Sequence, residues 1–392
     1  QLPDMKIGIV TLPFNANYGG ILQNYALQIT LKKIGHEVLT VSRFSKSMSL
    51  SMRILTTGKR ILKRIAGKKV IVRTWPNKNE LQIIWQNTNR FIAGNISLTE
   101  TIESENDFKK LAKYRFDAWI VGSDQVWRPK YAPNLENHFL GFTAGENKVR
   151  RIAYAASFGV DNWEFTPKQT IKCSALAKKF DAVSVREKSG ISLCKKHLKI
   201  DVCQVLDPTL LVSASEYKQL AEKANAPDFK GKLVTYVLDK SPAKKELLNQ
   251  IANELALETV SVMPKRFFRE VGKKGISECV APPVTDWIKS FMDAEFVVTD
   301  SFHGTAFSII FNKLFVVVGN PKRGMARFHS LLETFGLEDR MVSEESLNIS
   351  EMVKKPVDYE RVNSILVQKQ NEAFEFLKNA LQDRIKSVEN GN

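Results

Sequence analysis

Buried strands that end in short polar turns recur along this sequence and constrain its fold more than any other feature. Phe296–Thr299 is apolar and largely β-branched, which is typical of a strand in a parallel sheet covered on both faces. The turn Asp300-Ser301-Phe302-His303-Gly304 follows, and the pattern of 305–311 predicts a helix. Open α/β sheets bind ligands at the edge where such turns meet. His303 can move a proton there near neutral pH, although a histidine that only caps the helix fits the pattern too.

The strand–helix alternation occurs in two blocks, which predicts two domains. The 392 residues exceed one ordinary core. One Rossmann-like domain is expected over 5–212 and a second over 233–345, with a linker at 213–232 and a helical segment at 346–392. Strands at 182–185 and 314–318 are among those predicted. We therefore expect an α/β fold with two Rossmann-like domains facing a central cleft, and the functional site between them.

The formal charge of +16 is concentrated in a basic amphipathic segment, 43–78, which contains no acidic residue. Its cations are Arg43, Lys46, Arg53, Lys59, Arg60, Lys63, Arg64, Lys68, Lys69, Arg73 and Lys78. Within it, apolar residues from Ile54 to Ile65 recur at helical spacing, opposite the cations. Such a helix either lies on an anionic membrane through 53–69 or packs its apolar stripe on its own domain. Base-stacking aromatics are not interleaved with the cations, so no nucleic-acid partner is expected.

Cysteine usage and hydropathy predict a cytoplasmic protein, peripheral at the inner membrane face if the basic helix binds lipid. No apolar run reaches the roughly 20 residues of a membrane span, and the longest, 306–318, is interrupted by Asn312-Lys313. Residues 5–10 have the pattern of a first core strand rather than of a secretory signal. The four cysteines are scattered without CxxC spacing, which favours a reducing compartment and predicts no metal site.

Several turns in their order along the chain resemble those of the polysaccharide pyruvyl transferase family. The matching segments are 17–27 (NYGGILQNYAL), 121–127 (VGSDQVW), 184–187 (SVRE), 207–209 (DPT), 299–304 (TDSFHG) and Arg327-Phe328. The resemblance implies a fold like that of the B-type glycosyltransferases. It also implies that the enolpyruvyl carbons of phosphoenolpyruvate are transferred to two hydroxyls of one sugar in surface-polysaccharide biosynthesis. The product is then a cyclic pyruvate ketal, and phosphate is released.

Phosphoenolpyruvate carries a carboxylate and a phosphate, so the resemblance implies cations and backbone donors around it. Arg186 is suited to hold either anion bidentately, or else it pairs with Glu187 or Asp207. N–H groups at Gly304-Thr305 are expected to face the ligand. Some relatives carry arginine where this chain has Ser301, so Lys322, Arg323 or Arg327 is expected to replace it. The expected donor site is Arg186, Ser301, Phe302, Gly304, Thr305, Arg323 and Arg327, with His303 as catalytic acid or base.

The acceptor is expected at the turns of the first domain. Trp127 offers a flat surface for a sugar, and Asp124 and Gln125 can bond its hydroxyls, unless they are a buried tryptophan and a capping aspartate. Gly19-Gly20 either lets a helix approach a ligand or forms a plain turn. The expected acceptor site is Asn17, Tyr18, Gly19, Gly20, Asp124, Gln125 and Trp127.

The expected substrates are phosphoenolpyruvate and a sugar or lipid-linked oligosaccharide, with no cofactor. Two other hypotheses compete with this one. The first is a B-type glycosyltransferase that uses a nucleotide sugar, since the fold would be shared. The second is a non-catalytic protein that binds a membrane surface through its basic helix.

Overall fold

The computed structural model describes residues 4–43, 50–68, 70–132, 134–146, 148–226, 228–343 and 349–382. Lys46, Lys69 and Pro227, together with 346–348 and 383–392 of the predicted C-terminal segment, lie outside these ranges. The strands are β1 (Lys6–Val10), β2 (Glu37–Thr40), β3 (Ala118–Val121), β4 (Arg150–Ala156), β5 (Ala182–Val185), β6 (Cys203–Gln204), β7 (Lys232–Tyr236), β8 (Glu258–Ser261), β9 (Phe296–Thr299), β10 (Leu314–Val318) and β11 (Met341–Val342). The α-helices are α1 (Tyr18–Lys33), α2 (Leu50–Ile65), α3 (Lys78–Ile84), α4 (Gln86–Asn95), α5 (Pro167–Ala177), α6 (Lys188–Leu193), α7 (Ala214–Ala221), α8 (Pro242–Leu255), α9 (Phe268–Val271), α10 (Val284–Asp293), α11 (Phe302–Ile310), α12 (Ala326–Phe335), α13 (Ile349–Lys354) and α14 (Tyr359–Leu381).

The described residues form two parallel sheets. The first sheet has six strands in the order β2-β1-β3-β4-β5-β6, and the second has five in the order β11-β10-β9-β7-β8. Central strands such as β3 and β9 are buried along their whole length, because helices cover both faces of each sheet. The predicted α/β fold with two Rossmann-like halves is confirmed. We call the part of the chain that contains β1–β6 the first half and the part that contains β7–β11 the second half.

An aromatic cluster joins the two halves. Tyr18 of α1 stacks on Trp287 of α10 with ring centroids 5.5 Å apart, and Tyr236 of β7 packs edge-on against both rings. Phe307 of α11 lies against Trp287 at 4.9 Å. The Tyr18 hydroxyl also donates to the Pro282 carbonyl oxygen at 2.8 Å. Burial of this much aromatic surface fixes the orientation of one sheet against the other.

The last described helix crosses back from the second half to the first. In α14, the Gln370 side chain donates to the carbonyl oxygen of Leu210 at 2.7 Å, and Leu377 is completely buried. Near its end, Arg150 of β4 donates to the Ala380 carbonyl oxygen at 3.1 Å. The chain therefore ties its two halves together a second time, away from the aromatic cluster.

Part of the basic amphipathic segment, Leu50–Ile65, forms the helix α2, and its apolar stripe does not pack on the core of the described residues. Ile54, Leu62 and Ile65 are 65%, 67% and 78% exposed. The sequence left two alternatives for this stripe, and within the described residues it is exposed rather than packed on its own domain. None of the helices in the described ranges has the length and apolarity that a membrane span requires.

Candidate active site

A cleft of about 700 Å³ lies between the halves. All of its lining segments follow strands: those after β1 and β3 in the first half, and those after β7, β8, β9 and β10 in the second half. Parallel strands bring these turns to one edge of each sheet, and the two edges face each other. The predicted site residues that line it are Asn17, Tyr18, Gly20, Asp124, Gln125, Ser301, Phe302, His303, Arg323 and Arg327.

His303 stands in the first turn of α11, because this helix begins three residues earlier than predicted. Ser301 is the N-cap, and its side chain accepts a hydrogen bond from the Gly304 N–H at 3.4 Å. The Thr305 N–H bonds to the Ser301 carbonyl oxygen at 3.0 Å. Both N–H groups are thus occupied and neither residue lines the cleft, so the structure does not place Gly304 and Thr305 beside a donor anion. Gly304 instead lets α11 approach Thr299 closely.

The His303 ring is held between two parts of the first half. Its Nε2 atom lies 3.6 Å from the Oδ2 atom of Asp207. On its other side it packs on Gly19, where a methyl group added to the Cα atom would fall 2.0 Å from Nδ1. The Nε2 atom thus faces the Asp207 carboxylate but has no hydrogen-bond partner in the described ranges. Gly19 is therefore required for a close approach of α1 to the imidazole.

Asp207 is the centre of a buried polar cluster. Its Oδ2 atom accepts from Arg186 Nη1 at 2.8 Å and from the Ser123 hydroxyl at 2.9 Å. Its Oδ1 atom accepts from the N–H and the hydroxyl of Thr209, at 3.0 and 2.7 Å. Burial by itself would raise the pKa of Asp207, but His303 and Arg186 outweigh it and hold this pKa well below its ordinary value. The carboxylate thus connects a cation of the first half to the imidazole of the second.

Arg186 does not line this cleft, and its role as a donor ligand stays a prediction. The guanidinium is buried behind the Phe302 ring, 4.3 Å from its centroid. It pairs with Asp207 and has Asp124 and Glu187 at 3.8 and 4.0 Å. Burial lowers its pKa, but these carboxylates outweigh that effect and raise it. The structure shows the ion pair with Asp207 that was the alternative, and Arg186 positions that carboxylate.

Arg327 is a buried cation of the cleft that makes no ion pair in the described ranges, although the charges of Asp124 and Glu187 act on it. It is 6% exposed, its Nε atom has no hydrogen-bond partner, and Nη2 reaches only the Arg323 carbonyl oxygen at 3.3 Å. No carboxylate in the described ranges lies within ion-pair distance of it. Burial and then the charge of Arg186 lower its pKa to about 10. Arg323 differs, because Asp239 holds it bidentately at 2.5 and 3.1 Å. The side chain of Lys322 is not among those that the structure describes.

The predicted acceptor residues divide into two groups. Trp127 is completely buried, stacks on Phe139 and donates to the His138 carbonyl oxygen at 2.9 Å, so it offers no surface to a sugar and its predicted role is wrong. Tyr18 belongs mainly to the aromatic cluster. The second group lines the cleft and consists of Asn17, Gly20, Asp124 and Gln125.

Gly19-Gly20 lies in the first turn of α1 and does not form the plain turn that was the alternative.

One hydrogen-bonding atom of Gln125 is already in use, since its side-chain oxygen accepts from Arg128 at 3.0 Å. Asp207 was missed as a site residue, although the sequence carried a signal: it directly follows 202–206, a segment with the pattern of a strand, as Asp300 follows β9. In the described residues, no group of three or more His, Cys, Asp or Glu side chains is placed to hold a metal ion.

Two parallel α/β halves around such a cleft define the class of B-type glycosyltransferase folds. One solved structure agrees: Arabidopsis thaliana UGT89C1 complexed with UDP-L-rhamnose is 8% identical, with a TM-score of 0.51 over 96% of this chain and 98% of that one. The UDP-GlcNAc 2-epimerase of Neisseria meningitidis bound to UDP-GlcNAc is 12% identical, with a TM-score of 0.49 over 96% and 99% of the two chains. At such identities the likeness describes the fold alone.

The sequence pattern of the polysaccharide pyruvyl transferase family matches residues 17–322. The chain belongs to this family and is a transferase. No curated protein sequence matches it.

Proposed function

We propose that the cleft binds phosphoenolpyruvate beside Arg327 and transfers its enolpyruvyl carbons to two hydroxyls of one sugar. The observation that carries this proposal is an unpaired, buried guanidinium in the same cleft as His303. The amino end of α1 adds to the attraction for an anion: it has no acidic residue in its first turn and no side-chain cap, and its dipole is positive at the cleft. A doubly anionic donor satisfies both groups.

The proposed reaction balances without a further reactant. The oxygen of one sugar hydroxyl bonds to C2 of phosphoenolpyruvate while C3 receives a proton, so the methylene becomes a methyl group. The second hydroxyl oxygen then bonds to C2 as the C2–O bond to phosphate breaks. Of the two hydroxyl protons, one ends in the methyl group and the other leaves with inorganic phosphate. The product is a cyclic ketal of pyruvate.

His303 is the proposed carrier of the first proton. The imidazole takes the proton from the attacking hydroxyl and delivers it to C3, while the Asp207 carboxylate, 3.6 Å from Nε2, helps to orient the ring. Asp207 does not need to touch either substrate in this scheme. It acts as a positioning residue, and Arg186 in turn orients Asp207.

The remaining part of the cleft is the proposed acceptor site. Asp124 and Asn17 present polar groups for sugar hydroxyls, and Tyr131, Phe14 and Phe267 offer apolar surface. A volume of about 700 Å³ exceeds what phosphoenolpyruvate needs. We therefore propose an oligosaccharide acceptor, including one built on a lipid carrier, for surface-polysaccharide assembly.

The test is phosphate release from phosphoenolpyruvate with and without a panel of saccharides, with mass spectrometry of the products. We expect release only with a suitable acceptor. His303→Gln should lower kcat by about 10²–10⁴-fold. His329→Gln is the matched control on the exposed side of α12 and should be unaffected. Near-normal turnover in the His303 variant would exclude it as the proton carrier.

A separate variant tests the proposed anion site. Arg327→Gln should raise the KM for phosphoenolpyruvate by about tenfold or more, because a charge-assisted contact is lost. If nucleotide sugars raise the melting temperature of the enzyme and phosphoenolpyruvate does not, the donor assignment is wrong. A glycosyltransferase reaction then becomes the better explanation.

A further inference from the structure

The helix α2 displays an apolar stripe that nothing in the described chain covers. Ile54, Leu55, Ile61, Leu62 and Ile65 are all exposed, and successive members lie close to one side of the helix. Single exposed apolar residues are common on protein surfaces, but a continuous row of large ones usually marks an interaction site. The stripe is therefore a candidate docking surface.

The remaining circumference of α2 is strongly cationic. Lys59, Lys63 and Arg64 are exposed, and no carboxylate in the described ranges lies within ion-pair distance of them. The sequence from 38 to 79 contains no acidic residue at all. Arg60 and Arg53 face the chain that follows the helix: Arg60 donates to the Ile71 carbonyl oxygen, and Arg53 lies over the Trp75 ring at 6.0 Å. The surface thus pairs an apolar row with uncompensated positive charge.

We propose that α2 lies in the interface of an anionic lipid bilayer, with its apolar stripe among the acyl chains and its lysines and arginines at the head groups. The apolar stripe and the cations both fit this one partner, because an anionic bilayer offers an acyl-chain region and negatively charged head groups together. A second copy of this chain is a poorer partner, since two helices of the same positive charge would repel each other. The docking does not depend on the proposed chemistry.

The position of α2 would bring a membrane-anchored acceptor close to the cleft. This part of the inference rests on the proposed function. The segment after α2 packs against α9: Arg73 lies 5.2 Å over the Phe268 ring, and Ile71 packs on Gly272. Phe267, next to Phe268, lines the cleft. A bilayer under α2 therefore lies beside the rim of the cleft. There, a lipid-linked acceptor can reach the site while its anchor stays in the membrane.

Co-sedimentation of the full chain with vesicles tests the docking. We expect binding to vesicles that contain phosphatidylglycerol, release at high salt, and little binding to pure phosphatidylcholine. Lys59→Gln/Lys63→Gln/Arg64→Gln should weaken binding by on the order of a hundredfold. Lys178→Gln/Lys179→Gln/Lys195→Gln removes the same charge from exposed positions elsewhere and should cost far less.

The apolar stripe has a separate variant, Ile54→Gln/Leu62→Gln/Ile65→Gln, which should weaken vesicle binding by about tenfold or more. Its control is Ile171→Gln/Val367→Gln, at exposed apolar positions of α5 and α14. Equal binding by the α2 variants and their controls would overturn the proposal. So would dimerisation through the stripe, detected by sedimentation velocity and without vesicle binding. Turnover with a water-soluble saccharide should be normal in every one of these variants, so failure here is distinguishable from failure of the proposed reaction.

Discussion

At the scale of single residues, Gly19 decides where the imidazole of His303 can stand. A methyl group there would fall 2.0 Å from Nδ1 and 2.5 Å from Cγ of His303. Gly19→Ala should therefore push the ring away from Asp207 and lower kcat by about 10–100-fold, because misplacement by about 1 Å is costly. Alanine is a good helix former, so α1 should persist. Steady-state kinetics with a circular-dichroism melt checks both expectations.

Gly94→Ala is the matched control for this substitution. Gly94 lies in α4, and a methyl group there has no neighbour within 4 Å. We expect normal kcat and a gain in stability of up to about 1 kcal/mol. Wild-type kcat in Gly19→Ala would mean that this contact does not set the ring position.

Asp207 also determines how the site responds to acid. Its folded pKa lies below the ordinary value of 3.8, so its ion pairs stabilise the fold above that pH. The stabilisation is lost only as the pH falls further, toward the depressed value. Arg186 and His303 consequently keep an ionised partner throughout mildly acidic conditions.

At the scale of secondary-structure elements, Asp300 joins three turns at the carboxyl edge of the second sheet. Its carboxylate accepts from the Leu238 N–H at 2.6 Å, from Lys244 Nζ at 2.7 Å and from Asn320 Nδ2 at 3.2 Å. Both members of the Lys244 pair are buried. Asp300→Asn should lower the free energy of unfolding by about 3 kcal/mol, because a buried lysine loses its counter-charge. Urea denaturation measures the loss.

An exposed ion pair provides the comparison. Glu258 pairs with Lys232 at 2.5 Å on the surface of the same sheet. Glu258→Gln should cost less than about 1 kcal/mol, since water screens the pair. Equal losses in the two variants would contradict the structural role of Asp300.

The sequence predicted the elements well and the partners of single side chains poorly. The predicted strands β5, β9 and β10 lie where their apolar runs placed them, because burial within a sheet depends on a pattern of neighbouring residues. The start of α11 was missed, since Ser301 takes over as cap and draws Phe302 and His303 into the helix. Trp127 was misassigned, and the partner of Arg186 was left open, for another reason. Their partners, the His138 carbonyl and Asp207, are brought to them by the folded chain.

At the scale of the whole molecule, the aromatic cluster sets the distance between the halves. Trp287 is completely buried, and its indole N–H has no hydrogen-bond partner in the described ranges, so its contribution is packing. Trp287→Leu should cost about 2–4 kcal/mol. It should also lower kcat, because looser halves separate His303 from Asp207. Turnover is measured well below the melting temperature, so that unfolding does not contribute.

Trp119→Leu controls for the loss of stability alone. Trp119 is buried in a cluster confined to the first half, against Phe116 and Phe142. Its replacement should destabilise the chain to a similar degree and leave kcat near normal. If both variants lose kcat equally, separation of the halves is not the cause.

The contact between Asp207 and His303 has a consequence for protein synthesis. The carboxylate, its arginine and Gly19 emerge from the ribosome long before the imidazole at 303 does. A chain whose translation stops between these positions lacks the imidazole that the proposed reaction requires. If that reaction is correct, truncated products of this kind are inactive.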